Sequence, residues 1–470
     1  MTNLLRAESV AFAYPQDGRG LAPVSLQLDE GQALFIGGES GCGKSTLARC
    51  LTGMIPHLYH GKMSGAVWLA GLHTGQTPLW RLSELAGLVF QNPASQMLSS
   101  TVEDEIVFGL ENLGLSPAEI GRQVDEILAN FDLQPLRHRS PQMLSGGEQQ
   151  KLALAAIAAR RPAVLVLDEP LSMLDTSAAF NLIELLVRRI ADGGAVVICE
   201  HRQEYLKDFP NLQTIHLGST PRQLAGDLCF EWPVAKHSEI TVDAEDLIVE
   251  RGGRTILDGW SFHLQGGQVT AIVGRNGVGK TTLLRLLAGL QPYSGELVVC
   301  SDNRPEHPQL GIVFQNPDLQ LFNPSVRDEI LYHVDQPDLD LYHCLLVALD
   351  LERYEQAPPL LLSEGEKRRV ALATVLMLRP RHGVLLDEPA LGLDTYHKSL
   401  LLRLLRALAA AGQVVVFSTH DIELAAHADR LYLLGSQGIV GSGAPKELLL
   451  QTGLWAQLGL QIPDWVQPTC

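Results

Sequence analysis

Short, continuously apolar runs punctuate the chain: ALFIG at 33–37, VLVLD at 164–168 and AVVIC at 195–199, then VTAIVG at 269–274, GVLLD at 383–387 and QVVVF at 413–417. A run apolar at every position leaves no face for water, so each predicts a strand covered on both sides. Between the runs lie segments of helical period, such as QQKLALAAIAAR at 149–160. Strands alternating with helices predict an α/β fold with a mostly parallel sheet. The stretch between VFQNP at 89–93 and LSGGE at 144–148 has no such run, and neither has its counterpart between 317 and 362. Both predict a helical insertion.

The runs belong to phrases that occur twice in the same order. GGESGCGKST at 37–46 returns as VGRNGVGKTT at 273–282, VFQNP at 89–93 as VFQNP at 313–317, and VLVLDEP at 164–170 as GVLLDEP at 383–389. A duplicated domain explains the order, with the second copy trimmed in its first half. The expected division is a first domain over 1–225, a linker over 226–240, where periodicity lapses and prolines intervene, and a second domain over 241–470.

Size agrees with this division, because 470 residues exceed what one core usually holds. The formal charge of −17 argues against nucleic-acid partners, since such a surface repels phosphate backbones. No stretch reaches the roughly 18–20 apolar residues that cross a bilayer. The start, MTNLLRAESVAF, lacks the plan of a signal peptide, and seven scattered cysteines suggest neither a disulfide framework nor a zinc site. The expectation is a cytoplasmic protein.

GESGCGKS at 38–45 and GRNGVGKT at 274–281 match the glycine-rich phosphate loop, each after a predicted strand and before a predicted helix. In such a loop Gly38, Gly41 and Gly43, and Gly274, Gly277 and Gly279, let backbone N–H groups curl around phosphates at a helix N-terminus. Lys44 and Lys280 reach the β- and γ-phosphates, and the hydroxyls of Ser45 and Thr281 hold Mg²⁺. Thr46 and Thr282 complete the loops. Asp168 and Asp387 close short strands, where an acid orients Mg²⁺, and Glu169 and Glu388 follow as general bases for an attacking water. A solvated strand end is the plain alternative. A histidine follows each aspartate by the same interval (201 − 168 and 420 − 387), and the recurrence of His201 and His420 favours a γ-phosphate contact.

With these motifs the whole chain resembles two fused nucleotide-binding domains of an ABC ATPase. LSGGE at 144–148 resembles the family's signature, Gln91 and Gln315 its Q-loop glutamines and further Mg²⁺ contacts, Asp175 and Asp394 its D-loop aspartates, and the two histidines its switch. The resemblance implies ATP and Mg²⁺ as ligands and head-to-tail pairing of the two domains within one chain. Ser363 and Gly365 then complete the first site, and Ser145, Gly146 and Gly147 the second. The pattern Q-N-P-x-x-Q, in QNPASQ and QNPDLQ, resembles the energy-coupling factor branch, whose paired ATPases drive vitamin or transition-metal uptake. That implies an integral membrane scaffold and a substrate-binding membrane subunit as partners, and a peripheral place on the inner face of the cell membrane. The other readings are a tandem ATPase of a conventional sugar importer, a ribosome-associated tandem ATPase, and a nucleotide-gated scaffold without catalysis.

The copies are not identical. Tyr14 sits where the family stacks a ring on adenine, and Arg251 stands at the matching place in the second copy. Cys42, beside Lys44 and a helix N-terminus, is either an acidified thiol or an inert loop filler. Glu364 replaces the glycine at Gly146. Both S-x-x-E phrases predict capped helix starts, so Glu364 is expected as a first helical residue. Facing a γ-phosphate about 6 Å away at an effective dielectric near 20, its charge would cost on the order of 2–3 kcal/mol.

Overall fold

The computed structural model describes residues 3–15, 20–39, 41–172, 174, 176–201, 203–207, 209–218, 239–251, 254–435, 438–460 and 462. Two compact units make up the chain, Met1–Pro221 and Arg222–Cys470. The linker expected at 226–240 lies, apart from residues 239 and 240, outside the described residues.

In unit one the apolar runs form a parallel sheet in the order Ala86–Val89, Val164–Asp168, Ala195–Cys199, Ala33–Gly38, Leu212–Leu217. The continuous apolarity has the predicted cause. Ala33, Phe35, Leu165 and Leu167 enter one core with the helical insertion, while Leu34, Ile36, Val164 and Val166 enter another on the opposite face. That second face is covered by an antiparallel sheet, ordered Gly20–Asp29, Asn3–Ala13, Lys62–Leu69, Leu72–His73. This layer was not expected from the sequence. Its strands are amphipathic and interrupted by bulges, for example between Glu8 and Ala11, which breaks the period-two signal.

Unit two repeats the plan. Its six-stranded sheet runs Leu310–Val313, Gly383–Asp387, Val414–Thr419, Val269–Gly274, Arg430–Gly435 and Gly438–Gly443, parallel except at the last pairing. The helical insertions are helices Val102–Glu111, Pro117–Asn130 and Gly146–Ala159 in unit one, and shorter helices Val326–Ile330 and Leu339–Ala348 before Glu364–Met377 in unit two. In both units the sheet directs the same three points to one edge: the glycine loop, the aspartate-glutamate pair and the strand carrying the histidine. That edge lies outside the carboxyl ends of the parallel strands, where open α/β sheets bind ligands.

Candidate functional site

Each glycine loop leaves its strand and turns directly into a helix, Lys44–Leu51 or Lys280–Leu287. Gly43 and Gly279 hold the N-cap position in the left-handed region, at φ 101° and 106°, with no side-chain cap. A side chain at Gly43 would also place its Cβ 2.8 Å from the Gly20 carbonyl oxygen. The first N–H groups of the helix therefore meet no side-chain acceptor and suit an anion. Lys44 Nζ turns back to the carbonyls of Gly38 and Glu39, at 2.8 and 3.0 Å, and Lys280 Nζ to those of Gly274 and Arg275, at 2.6 and 3.4 Å. Gly41 and Gly277 share the left-handed conformation.

The acid pair lies beneath the loop. Ser45 hydrogen-bonds Asp168, and Thr281 Oγ1 donates to Asp387 Oδ2 at 2.7 Å. Thr46 and Thr282 follow on the same helices, Thr46 within 3.4 Å of the Tyr14 hydroxyl. Glu169 and Glu388 both take left-handed backbone angles, φ 49° and 50°, which turns each side chain off the strand line. Glu169 is gripped by Gln91 Nε2 at 2.7 Å and His201 Nε2 at 3.1 Å. Glu388 meets His420 Nδ1 at 2.9 Å and Lys280 Nζ at 3.5 Å. The Q-loop contact of unit one is thus replaced in unit two by the loop lysine; Gln315 is half-buried.

Adjacent buried carboxylates separate in acidity. Burial, then the charge of Glu169, pushes Asp168 up to about 6, and burial raises Asp387. Burial opposes ionisation of the glutamates too, but His420 and Lys280 outweigh it and hold Glu388 down at about 2. His201, Lys44 and Gln91 likewise hold Glu169 below its ordinary range. Asp168 Oδ1 and His420 Nε2 are buried without a hydrogen-bond partner. An orphan carboxylate oxygen beside a serine hydroxyl, under a glycine loop with a lysine, fits a divalent cation and a polyphosphate chain.

The signature residues bond among themselves. Ser145 caps helix Gly146–Ala159, with Ser145 N donating to Glu148 Oε2 at 2.8 Å; Ser363 caps Glu364–Met377, with Ser363 N donating to Glu366 Oε2 at 2.9 Å. Gly146 and Gly147 open the first helix. Glu364 is the first residue of the second, as expected, but its charge does not stand alone: Lys367 Nζ lies 3.6 Å away and also binds Asp318 at 2.7 Å. The first copy has Gln149 in place of Lys367. Gly365 is where contact demands glycine, since a Cβ would come 2.7 Å from the Gly392 carbonyl oxygen.

Asp394 caps helix Thr395–Ala410 through the His397 N–H at 2.8 Å. Its counterpart Asp175 and the side chain of Arg251 lie outside the described residues. Tyr14 packs edge-on to Phe12 at 4.8 Å, and Arg49 donates to its hydroxyl at 2.9 Å, which pins the ring beside the loop helix. For Cys42 the acidified reading is corrected: burial pushes the thiol up despite Lys44. Its sulfur fills space beside Gly38, 2.6 Å from a Cβ built there, which is the loop-filler reading.

Sequence reasoning missed what the last glutamine of Q-N-P-x-x-Q does. Gln96 accepts from Phe90 N at 2.8 Å and donates to the Leu88 carbonyl at 2.9 Å, and Gln320 does the same with Phe314 N at 2.9 Å and Ile312 at 3.0 Å. Each amide clamps the strand end that carries the Q-loop glutamine. Its recurrence in both copies was the available signal.

Residues 21–172 and 257–391 match the family model described as ABC transporter. The Bacillus subtilis (strain 168) protein named "Putative HMP/thiamine import ATP-binding protein YkoD" is 32% identical, over 98% of this chain and 96% of its own. A Treponema denticola relative, named as an ABC transporter ATP-binding protein, is 33% identical over 89% of this chain and 93% of its own. Among solved structures, a model of ribosome-bound archaeal Pelota and ABCE1 superposes with a TM-score of 0.69 at 19% identity, over 96% of this chain and 80% of that chain, a likeness of fold alone.

The clamp generates a prediction. Gln96→Ala and Gln320→Ala each remove two part-buried hydrogen bonds; loss of the one accepted from the backbone, worth about 1–1.5 kcal/mol, should let the amides of Phe90 and Phe314 exchange hydrogen roughly tenfold faster. Exchange at an unchanged rate in both variants would show that the glutamines do not hold the Q-loop.

Proposed function

The chain belongs to the ABC transporter family, and from that premise we propose that it is the ATP-hydrolysing subunit of a membrane importer of the energy-coupling factor type. Its two sites bind ATP through the glycine loops, with Lys44 and Lys280 leaving their loop carbonyls for the β- and γ-phosphates and Tyr14 placing its ring against adenine. Mg²⁺, held through Ser45, Gln91 and Asp168 or Thr281, Gln315 and Asp387, supplies neutralisation of charge across the phosphates when bound. Glu169 and Glu388 stay ionised at neutral pH, so each can accept a proton from a water while that water's oxygen bonds to the γ-phosphorus and the bond to ADP breaks. His201 and His420 hold the glutamates and the γ-phosphate oxygens. Ser145, Gly146 and Gly147 complete the site built on Lys280, and Ser363 and Gly365 the site built on Lys44, with Asp175 and Asp394 as D-loop aspartates. A chain that carries both halves of each composite site has a reason to repeat itself.

The observation that carries the membrane reading is an apolar trio repeated at the same places in both helical subdomains. Leu98, Phe108 and Met143 in unit one, and Phe322, Tyr332 and Leu361 in unit two, lie between 42% and 78% exposed. Phe322 and Tyr332 touch edge to face at 4.9 Å. Large apolar side chains kept in water next to the Q-loop fit docking onto an apolar partner. We assign that partner to the cytoplasmic helices of an integral scaffold, which acts with a substrate-binding membrane subunit. The chain itself would be peripheral on the inner face: among the described residues no helix is long and apolar enough to cross a membrane. A vitamin or transition metal is the proposed cargo, and the name of YkoD supports the vitamin class.

Docking is tested by purifying the chain from solubilised membranes. The unaltered chain should bring down a protein with membrane-spanning helices, and Leu98→Glu with Phe322→Glu should lose it while keeping ATP turnover. Recovery of ribosomal proteins, or equal capture by the variant, would sink the importer reading.

The glutamates should be unequal. Glu388→Gln should remove most steady-state phosphate release, because its site is completed by the glycine-bearing signature, and Glu169→Gln should remove less. Equal losses would end the case for asymmetry.

Pairing of Glu364 with Lys367 gives the two charges opposite expected effects on the site built on Lys44. In a Glu388→Gln background, Glu364→Gly should raise the residual turnover, and Lys367→Gln, which uncovers the carboxylate, should lower it. Two unchanged rates would reduce Glu364 to a helix-start residue favoured by about 0.3–1 kcal/mol.

A further inference from the structure

His397 is the third residue of helix Thr395–Ala410 in unit two and is 4% exposed. Its ring lies between two carboxylates. Nδ1 is 2.7 Å from Asp394 Oδ1, the oxygen that also accepts the His397 backbone N–H, and Nε2 is 3.3 Å from Asp350 Oδ2. Ionised carboxylates only accept hydrogen bonds, so both contacts are bonds only when both ring nitrogens carry hydrogen. The geometry is that of an imidazolium.

The bridge joins two parts of the unit. Asp350 follows helix Leu339–Ala348 of the helical subdomain, and Arg369 on the signature helix binds the carbonyls of Leu349 and Asp350 at 2.6 and 2.9 Å, with the Asp350 carboxylate 3.7 Å away. Arg353 also approaches that carboxylate, at 3.5 Å. The neighbouring Arg368 donates to the backbone carbonyl of Glu388 at 2.9 Å. From Glu388, through the signature helix and Asp350, a polar path therefore returns through His397 to Asp394. Unit one has Ala178 where His397 stands, and its Lys151–Asp132 pair, at 3.6 Å, is exposed at Asp132. A methyl group cannot bridge two carboxylates.

We propose that His397, as an imidazolium bridging Asp394 to Asp350, is a positioning residue for ATP turnover that locks the loop after the catalytic strand to the subdomain bearing the signature helix. This rests on the ATPase reading above. A neutral ring has one N–H, so one contact would set a lone pair against a carboxylate, and the longer one, to Asp350, is the one lost. Burial and Arg369 work against the charge, but Asp350 and Asp394 outweigh them and raise the ring above its ordinary value of 6.5. For a histidine raised in the folded state, the bond is present at low pH and disappears as pH rises through that raised value.

Two measurements on the full chain decide it. In ¹⁵N-histidine spectra, the signal missing from His397→Gln should show both ring nitrogens protonated at about pH 7 and titrate above the usual range. A neutral ring there overturns the proposal whatever the turnover. Across about pH 6 to 9.5, turnover of the unaltered chain should fall along an alkaline limb that His397→Arg lacks, since a guanidinium keeps both donors without titrating. His397→Gln should be roughly three- to tenfold slower at about pH 7, with KM for ATP moved less than about twofold. The same alkaline limb in all three proteins, or full activity in His397→Gln, overturns the positioning role. An unaltered chain with a titrating imidazolium but no turnover would instead overturn the ATPase reading and the role built on it.

Discussion

Two adjacent carboxylates at the end of one buried strand are the constraint around which each unit is arranged. Ionising both without partners would be prohibitive, and the two ends meet the problem in the same way: one acid rises toward neutrality and the other is held ionised by cations and donors around it. The glutamate takes a left-handed backbone, at a cost of about 1–3 kcal/mol, where the chain leaves the strand. The turn is held by the next strand: Glu169 N donates to the Cys199 carbonyl at 2.8 Å and Glu388 N to that of Ser418 at 3.2 Å. The strand order, with the histidine-bearing strand beside the acid-bearing one, is what makes that support available.

The two units meet this constraint with different partners, and the differences fall in one region. Unit one spends its Q-loop glutamine on Glu169; unit two brings its loop lysine to Glu388. On the signature helix, Gln149, Gln150 and Lys151 of the first copy become Lys367, Arg368 and Arg369 of the second. Gln150 is fully buried with both amide atoms unpartnered, whereas Arg368 reaches the backbone of Glu388. The second unit is therefore tied more tightly between its acid pair and its helical subdomain.

Much of this was legible in the chain itself. Phosphate loops, acid pairs and recurrent histidines depend on local spacing, and local spacing survives in a sequence; the same holds for the capped starts at Ser145 and Ser363, where three residues decide the geometry. The parallel sheet was legible because strands covered on both faces are apolar throughout. The antiparallel layer was not, because its bulged, half-wet strands carry no clean period. Nor was the lysine that covers Glu364, although it stands three residues away, since which side chains share a helix face matters only once something packs there.

The sequence by itself determined the duplication, the fold class and the identity of the groups that meet at each site, because each is written within a few consecutive residues. Only the tertiary structure decided which of those groups hold one another: that Gln91 grips Glu169, that Cys42 is a filler whose thiol burial keeps protonated, and that His397 lies between Asp394 and Asp350. The reason is physical. A charge's behaviour is set by burial and by all of its partners together, many of which lie tens to over a hundred positions away in the chain, and local spacing encodes neither burial nor those distant partners.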